Sequence, residues 1–192
     1  IKLIAPDGIG PDGVTSAGAF KIEKVALPLL AALTPPRHQV EIVDEAFAPD
    51  RPDVDVDLVG IGVMTDLASR AYRIADDYRR RGVTVVLGGI HPTVRAWEAL
   101  SHADAVVLGE AEATWPRVVA DAEAGRLRPL YRAAGPTDLA GMPHPRRDLY
   151  PRPRTRGYTP LATGVEASRG CAYDCEFCSI GAVMRGYRSR PV

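Results

Sequence analysis

Cysteine is scarce in this 192-residue chain and confined to one place: Cys171, Cys175 and Cys178 are the three it has. A disulfide framework needs pairs spread along the chain, so it is excluded, and reduced thiols in a cytoplasmic compartment are expected. Lysine is as scarce, with Lys2, Lys21 and Lys24 in a cationic total of 24 that is otherwise arginine. Coding bias is the plain account of that excess and an arginine-built phosphate site the sharper one. Acidic residues also number 24, so the formal charge is zero and no global field draws in nucleic acid or an anionic membrane. No apolar run reaches the roughly 18 residues of a membrane span, and no signal peptide opens the chain. A soluble cytoplasmic protein without a membrane span or nucleic-acid partner is the expectation. The chain opens at Ile1 inside a strand-like run and stops at Val192 soon after the last cysteine, so both ends read as cut.

What is present is an ordinary globular composition, 46% hydrophobic and 25% charged, with room for one full domain and part of another. Ile1 to Ala5 reads as a buried strand ending in the turn signal Pro6-Asp7-Gly8. A helical repeat runs from about Ala19 to Leu33, with Pro28 expected to kink it, and Val40 to Val43 makes a second strand. Asp57 to Met64 is apolar and rich in small residues, as in a central parallel strand covered on both faces. The next helix carries Leu67, Ala71, Ile74 and Tyr78 on one face, with Gly82 placed to end it in a left-handed cap. Val83 to Leu87 follows as the fourth strand, then a helix with Val94, Trp97 and Leu100 and Thr93 as N-cap, a fifth strand at Ala105 to Leu108, and a helix from about Glu112 to Ala124. Five strands alternating with helices predict an α/β, doubly wound (Rossmann/flavodoxin-like) parallel five-stranded sheet over residues 1–132. Residues 133–163 lose all periodicity and hold many prolines and arginines, which suits an extended linker; an RNA-binding arm is the alternative, with only Tyr150 and Tyr158 as interleaved aromatics. Residues 164–168 then read as a strand delivering the chain to the cysteines.

In an open parallel sheet the ligand crevice lies beyond the carboxyl ends of the strands, where strand order reverses. With strand order 2-1-3-4-5, the loops that converge there carry Asp7 and Gly8, then Met64 and Thr65, then Gly88, Gly89, Ile90, His91, Pro92 and Thr93. The paired glycines let backbone approach a flat or bulky ligand; equally, they make a tight strand-to-helix turn. Gly109 and Glu110 follow the fifth strand at the same edge, Glu110 serving either as an acceptor for ligand amides or as a carboxylate at a helix start. No lysine-containing phosphate loop follows the glycines.

The cysteine run C-x3-C-x2-C admits four readings. Structural zinc needs a fourth ligand such as a distant His144, a redox pair of Cys175 and Cys178 leaves Cys171 idle, and a disulfide suits the compartment poorly. An iron–sulfur cluster employs all three thiolates and leaves one iron open to a small molecule.

Cys171, Cys175 and Cys178, with Phe177 before the last cysteine and Arg169-Gly170 ahead of the first, resemble the signature of the radical S-adenosylmethionine enzymes. Taken with Val59 to Thr65, the Gly88 to Thr93 loop and Ala103 to Glu112, the whole chain is similar to the cobalamin-binding subgroup of that family. The resemblance implies a cobalamin domain at 1–132 and, over 164–192, the start of a partial (β/α) barrel. It implies a 4Fe-4S cluster on the three cysteines, S-adenosylmethionine beside Phe177 and Tyr173, and cobalamin held by the loop residues named above. It also implies methyl transfer to an unactivated carbon or phosphorus centre of a small molecule, through a 5'-deoxyadenosyl radical and methylcobalamin, with electrons from a flavodoxin- or ferredoxin-type donor. Its alternatives are a radical oxidation or cyclisation and a non-catalytic cobalamin-binding or sensing module. His91 is expected at the corrin edge or nucleotide tail more than on cobalt, because the resembled subgroup mostly binds cobalamin without a protein imidazole, and the loop after the first strand lacks the histidine that methionine-synthase-type cobalamin domains carry there.

Overall fold

The computed structural model describes residues 1–8, 23–47, 49–52, 55–150, 164–184 and 186–191. Its elements in chain order are β1 (Lys2–Ala5), α1 (Ala26–Leu33), β2 (Glu41–Asp44), β3 (Leu58–Gly62), α2 (Ala68–Arg80), β4 (Thr84–Gly88), α3 (Ile90–Val94), α4 (Ala96–Leu100), β5 (Ala105–Leu108), α5 (Trp115–Glu123), β6 (Leu130–Arg132), β7 (Ser168–Arg169), α6 (Ile180–Val183) and β8 (Arg188–Ser189). Six strands form one parallel sheet in the order β2-β1-β3-β4-β5-β6. The expected 2-1-3-4-5 order is there, extended by one edge strand.

Alternation along each strand divides the core in two. Ile4, Val59, Ile61, Val85, Leu87 and Val106 point to the side covered by α2, where Ala71, Ile74 and Tyr78 meet them. Leu3, Leu58, Val86, Ala105 and Val107 point to the side covered by α1 and α5, against Leu27, Trp115 and Val118. Both faces are apolar because both are roofed by helices, which is why the strands read as unbroken apolar runs.

Several expectations are corrected. Helix α1 begins at Ala26, so Pro28 falls in the first turn, where no intrahelical N–H is required, and no kink results; the expected start at 19–22 lies outside the described residues. Thr93 is not an N-cap but lies inside α3, and the helix expected there breaks at Arg95 into α3 and α4, leaving Val94 and Trp97 exposed. Helix α5 starts at Trp115 rather than near Glu112, because Ala111 to Thr114 form a turn and Pro116 suits the first helical turn. Gly82 does adopt the left-handed cap, at φ +80°.

Segment 133–150 packs back onto the sheet domain. Leu139 and Tyr150 are buried, Arg146 donates its backbone N–H to Pro28 O at 2.9 Å, and the Tyr150 hydroxyl bonds to Asp44. The rest of the expected linker, 151–163, lies outside the described residues. Beyond it the expected strand at 164–168 is reduced to β7, which pairs antiparallel with β8. Among the described residues no helix is long and apolar enough to cross a membrane.

Candidate functional site

On the α1/α5 side, the carboxyl ends of the central strands lack side chains. Gly60 and Gly62 share a face with Leu58, and Gly88 shares it with Val86. Gly62 lies opposite Gly88 in the parallel register, so two adjacent positions at the sheet's end are bare backbone. The result is a cleft of about 210 Å³, floored by these glycines and walled by Leu27 and Leu30 of α1 and Trp115 of α5. The three glycines are not equivalent. A Cβ at Gly60 would lie 3.0 Å from Leu3 Cδ2 and 3.1 Å from Trp115 Cη2, whereas one at Gly62 would meet Leu27 Cδ2 at an ordinary 3.8 Å. Gly60 therefore lets Trp115 pack down, and Gly62 and Gly88 leave the floor open.

The turn after β4 is held by sterics. Gly89 has φ +109°, and a Cβ there would lie 2.8 Å from Val63 O, so only glycine lets the turn close against the end of β3. That closure carries the bonds Val63 N–H to Gly88 O at 2.8 Å and His91 N–H to Val63 O at 3.2 Å. Thr93 then braces two loops, its hydroxyl donating to Gly89 O at 2.7 Å and accepting from Gly109 N–H at 2.9 Å.

The structure brings together only part of the expected set. Gly88, Gly89, Ile90, Gly109 and Glu110 line the cleft. Met64, 48% exposed, and Thr65 stand at the end of β3 outside the lining, while Pro92 is buried. Asp7 and Gly8 close on themselves, Gly8 N–H donating to Asp7 Oδ1 at 2.8 Å. His91 turns away from the cleft: its Nε2 is 3.3 Å from Glu98 Oε1, its ring lies 5.9 Å from that of Tyr72, and its buried Nδ1 has no partner.

Sequence reasoning singled out Glu110 and Arg169 separately but not the charged group they form at the mouth. Glu110 accepts four hydrogen bonds: from Arg169 Nη1 at 3.1 Å and Arg188 Nη2 at 3.0 Å on Oε1, and from Arg188 Nη1 at 2.8 Å and Thr137 N–H at 2.9 Å on Oε2. Arg169 also donates to Glu112 at 2.6 Å and to both oxygens of Glu166 at 2.6 and 2.9 Å. Burial pushes the Glu110 carboxyl up, but the donors from Arg188, Thr137 and Arg169 outweigh it and hold its pKa below the usual range. Burial likewise opposes charge on Arg169, and its bonds to Glu166, Glu112 and Glu110 more than reverse that.

Gly170 follows at φ +76°, where a Cβ would strike Gly186 O. The cysteines come next, all free. Cys171 Sγ accepts from Tyr173 N–H at 3.4 Å, and Cys178 N–H donates to Cys175 O at 3.0 Å. Cys175, Cys178, Tyr173 at 80% and Phe177 at 93% are exposed. Among the described residues no three His, Cys, Asp or Glu side chains are gathered as metal ligands, so the sulfurs share a loop but do not converge.

Comparison with known proteins gives this geometry a family. A bacteriochlorophyllide d C-8(2)-methyltransferase of Chlorobaculum tepidum is 39% identical over 163 residues, covering 80% of this chain and 35% of that protein. A bacteriochlorophyllide d C-12(1)-methyltransferase of the same organism is 30% identical over 176 residues, 88% of this chain and 38% of that protein. An uncharacterized methyltransferase of Pyrococcus horikoshii is 29% identical over 184 residues, 81% of this chain and 40% of that protein. The chain thus spans well under half the length of these curated relatives. Residues 17–119, over half of the chain and inclusive of the whole glycine floor, match the model of the B12 binding domain, and the chain belongs to that family.

Proposed function

We propose that the protein carrying this chain transfers a methyl group to a carbon centre of a small molecule with bound cobalamin, by the radical S-adenosylmethionine route. The observation that carries the reading is the cleft whose glycine floor lies within the region matched by the B12 binding family model. An apolar slot between two helices, with backbone as its floor, suits the flat face of a heteroaromatic group such as the base on a cobalamin tail. Gly62 and Gly88 would lie under it, Leu30 and Trp115 beside it, and the loops at Met64–Thr65 and Gly89–Ile90 would meet the macrocycle at the rim.

The cysteine loop supports the radical half of the reading by its donor set, three free thiols without a fourth. Cys171, Cys175 and Cys178 would ligate a 4Fe-4S cluster, with Tyr173 and Phe177 outward beside S-adenosylmethionine. Once bound, cobalamin supplies a transferable methyl group and the cluster supplies the electron that cleaves S-adenosylmethionine to a carbon radical. The chain's own task is to place the two sites at one edge of the sheet and keep water from the cleft. The two Chlorobaculum tepidum relatives are named as methyltransferases of carbon positions of a bacteriochlorophyllide, which favours carbon over phosphorus.

The ungathered thiols favour a second reading, a cobalamin-binding module without radical chemistry. Anaerobic reconstitution of the chain with iron, sulfide and hydroxocobalamin separates the two. Bound cobalamin, visible as a shifted absorption spectrum, with a full cluster's iron that is lost in Cys171→Ala, is the expected result. Cobalamin without iron overturns the radical route, and an unshifted cobalamin spectrum overturns the cleft as a cobalamin site.

A further inference from the structure

Four places outside the glycine floor hold concentrated chemistry. The Lys2, Asp50 and Tyr78 group lies at the amino ends of the strands, away from the cleft. The His91, Tyr72, Glu98 and His102 group is bonded within itself and to Asp76 and Arg95, leaving His91 Nδ1 as a buried atom without a partner. Trp97 on α4 is 78% exposed. The group around Glu110 is different, because it joins three separate stretches of chain at the mouth of the cleft.

We propose that Glu110, Arg169 and Arg188 form a latch that docks segment 164–191 as a wall of the cleft, making Arg169 a positioning residue that couples the cysteine loop to whatever the cleft holds. The coupling half of this inference rests on the cobalamin reading above; the latch itself does not.

Segment 164–191 meets the rest of the described chain through α6, which packs against α3, through Arg147 donating to Gly164 O at 2.5 Å, and through a set of its own arginines. Arg169 and Arg188 both grip Glu110, Arg188 also donates to Thr137 O at 2.8 Å, and Arg190 donates to Met142 O at 2.7 Å. The strands carrying Arg169 and Arg188, β7 and β8, pair with each other, so those two grips act as one unit. Through it Glu166, Arg169, Val183 and Met184 become cleft lining, while Cys171 follows Arg169 by two residues. Gly170 makes the connection stiff, since the chain there passes too close to Gly186 to tolerate a side chain.

Three carboxylates, Glu110, Glu112 and Glu166, meet two guanidinium groups here, all with little exposure except Glu166 and Arg188, which are partly covered. Removing Arg169 takes the cation from Glu112 and Glu166, and removing Glu110 takes the carboxylate from Arg188, so either change is expected to open the contact rather than weaken it by one bond. A segment that forms a cleft wall only when docked shares its docking equilibrium with the cleft's occupant, and each must strengthen the other by the same factor.

Hydrogen–deuterium exchange of the whole chain, read by peptide, tests the latch. In Glu110→Gln and in Arg169→Gln, amides of 164–191 should exchange at least about tenfold faster while peptides of β3 and β4 keep their protection. Arg169→Lys, which keeps the charge but loses the fork, should recover part of that protection. Hydroxocobalamin added to wild type should slow exchange in 164–191, and its affinity should fall about fivefold or more in both Gln variants. Unchanged exchange in 164–191 for both variants, or faster exchange spread evenly over the sheet, overturns the latch. Affinity unchanged in variants whose segment has opened overturns the coupling. If wild type takes up no cobalamin, the functional reading and the coupling fall together, while the exchange comparison alone decides the latch.

Discussion

Trp115 donates its indole N–H to the hydroxyl of Thr34 at 2.9 Å, and that hydroxyl in turn donates to Leu30 O at 2.8 Å. One bond thereby ties the start of α5 to the residue that ends α1, and those two helices are the walls of the cleft. Thr34→Val keeps the shape but leaves a buried N–H without an acceptor, a loss of about 1–3 kcal/mol. Urea unfolding should show that loss, and Thr34→Ser should restore most of it.

The floor glycines should separate folding from binding. Gly60→Ala forces Leu3 and Trp115 apart and should destabilise by about 1–3 kcal/mol. Gly62→Leu projects into the open part of the cleft, so its unfolding midpoint should stay close to wild type while cobalamin affinity drops at least about tenfold. Denaturant midpoints and spectral titrations on both variants check the contrast.

His91 should matter little to the ligand. Its ring faces Tyr72 and Glu98 behind the cleft, so His91→Ala is expected to leave the visible spectrum of bound cobalamin unchanged. A change in the axial-ligand bands would place the imidazole on cobalt instead.

Alkaline stability should report on Tyr78. This fully buried phenol donates to Asp50 Oδ1 at 3.2 Å and accepts from Lys2 Nζ at 3.1 Å, and burial pushes its pKa up to about 12, with Asp50 adding to the rise and Lys2 opposing it. A pKa raised on folding adds stability that is full below the unfolded value near 10 and lost as pH climbs to about 12. The loss should approach about 2–3 kcal/mol. Tyr78→Phe should flatten the stability curve in that window, measured by denaturant unfolding at each pH.

The sheet was legible because its strands are apolar on both faces and its helices periodic. Edge strand β6 escaped notice: Leu130, Tyr131 and Arg132 are too few and too mixed to make a run, and only pairing with β5 reveals them. The glycines of the β4 turn stood out as an adjacent pair, while Gly60 and Gly62 passed as small residues of a central strand until the strand's alternation put them on one face with Gly88. Glu110 and Arg169 are 59 residues apart, a distance at which no local pattern announces a partner. Thr93 has the chemistry of a cap, and only the folded loops show that its hydroxyl bridges Gly89 and Gly109.

Alternation along β3 also has an evolutionary reading. Val59 and Ile61 face α2 in a filled core, whereas Gly60 and Gly62 face the cleft between α1 and α5. Selection for a stable fold and selection for ligand choice therefore act on interleaved residues of the same strand. A lineage can reshape the slot at Gly62 and Gly88 without disturbing the packing that keeps the domain folded, and drift in the packed face need not be felt by the ligand.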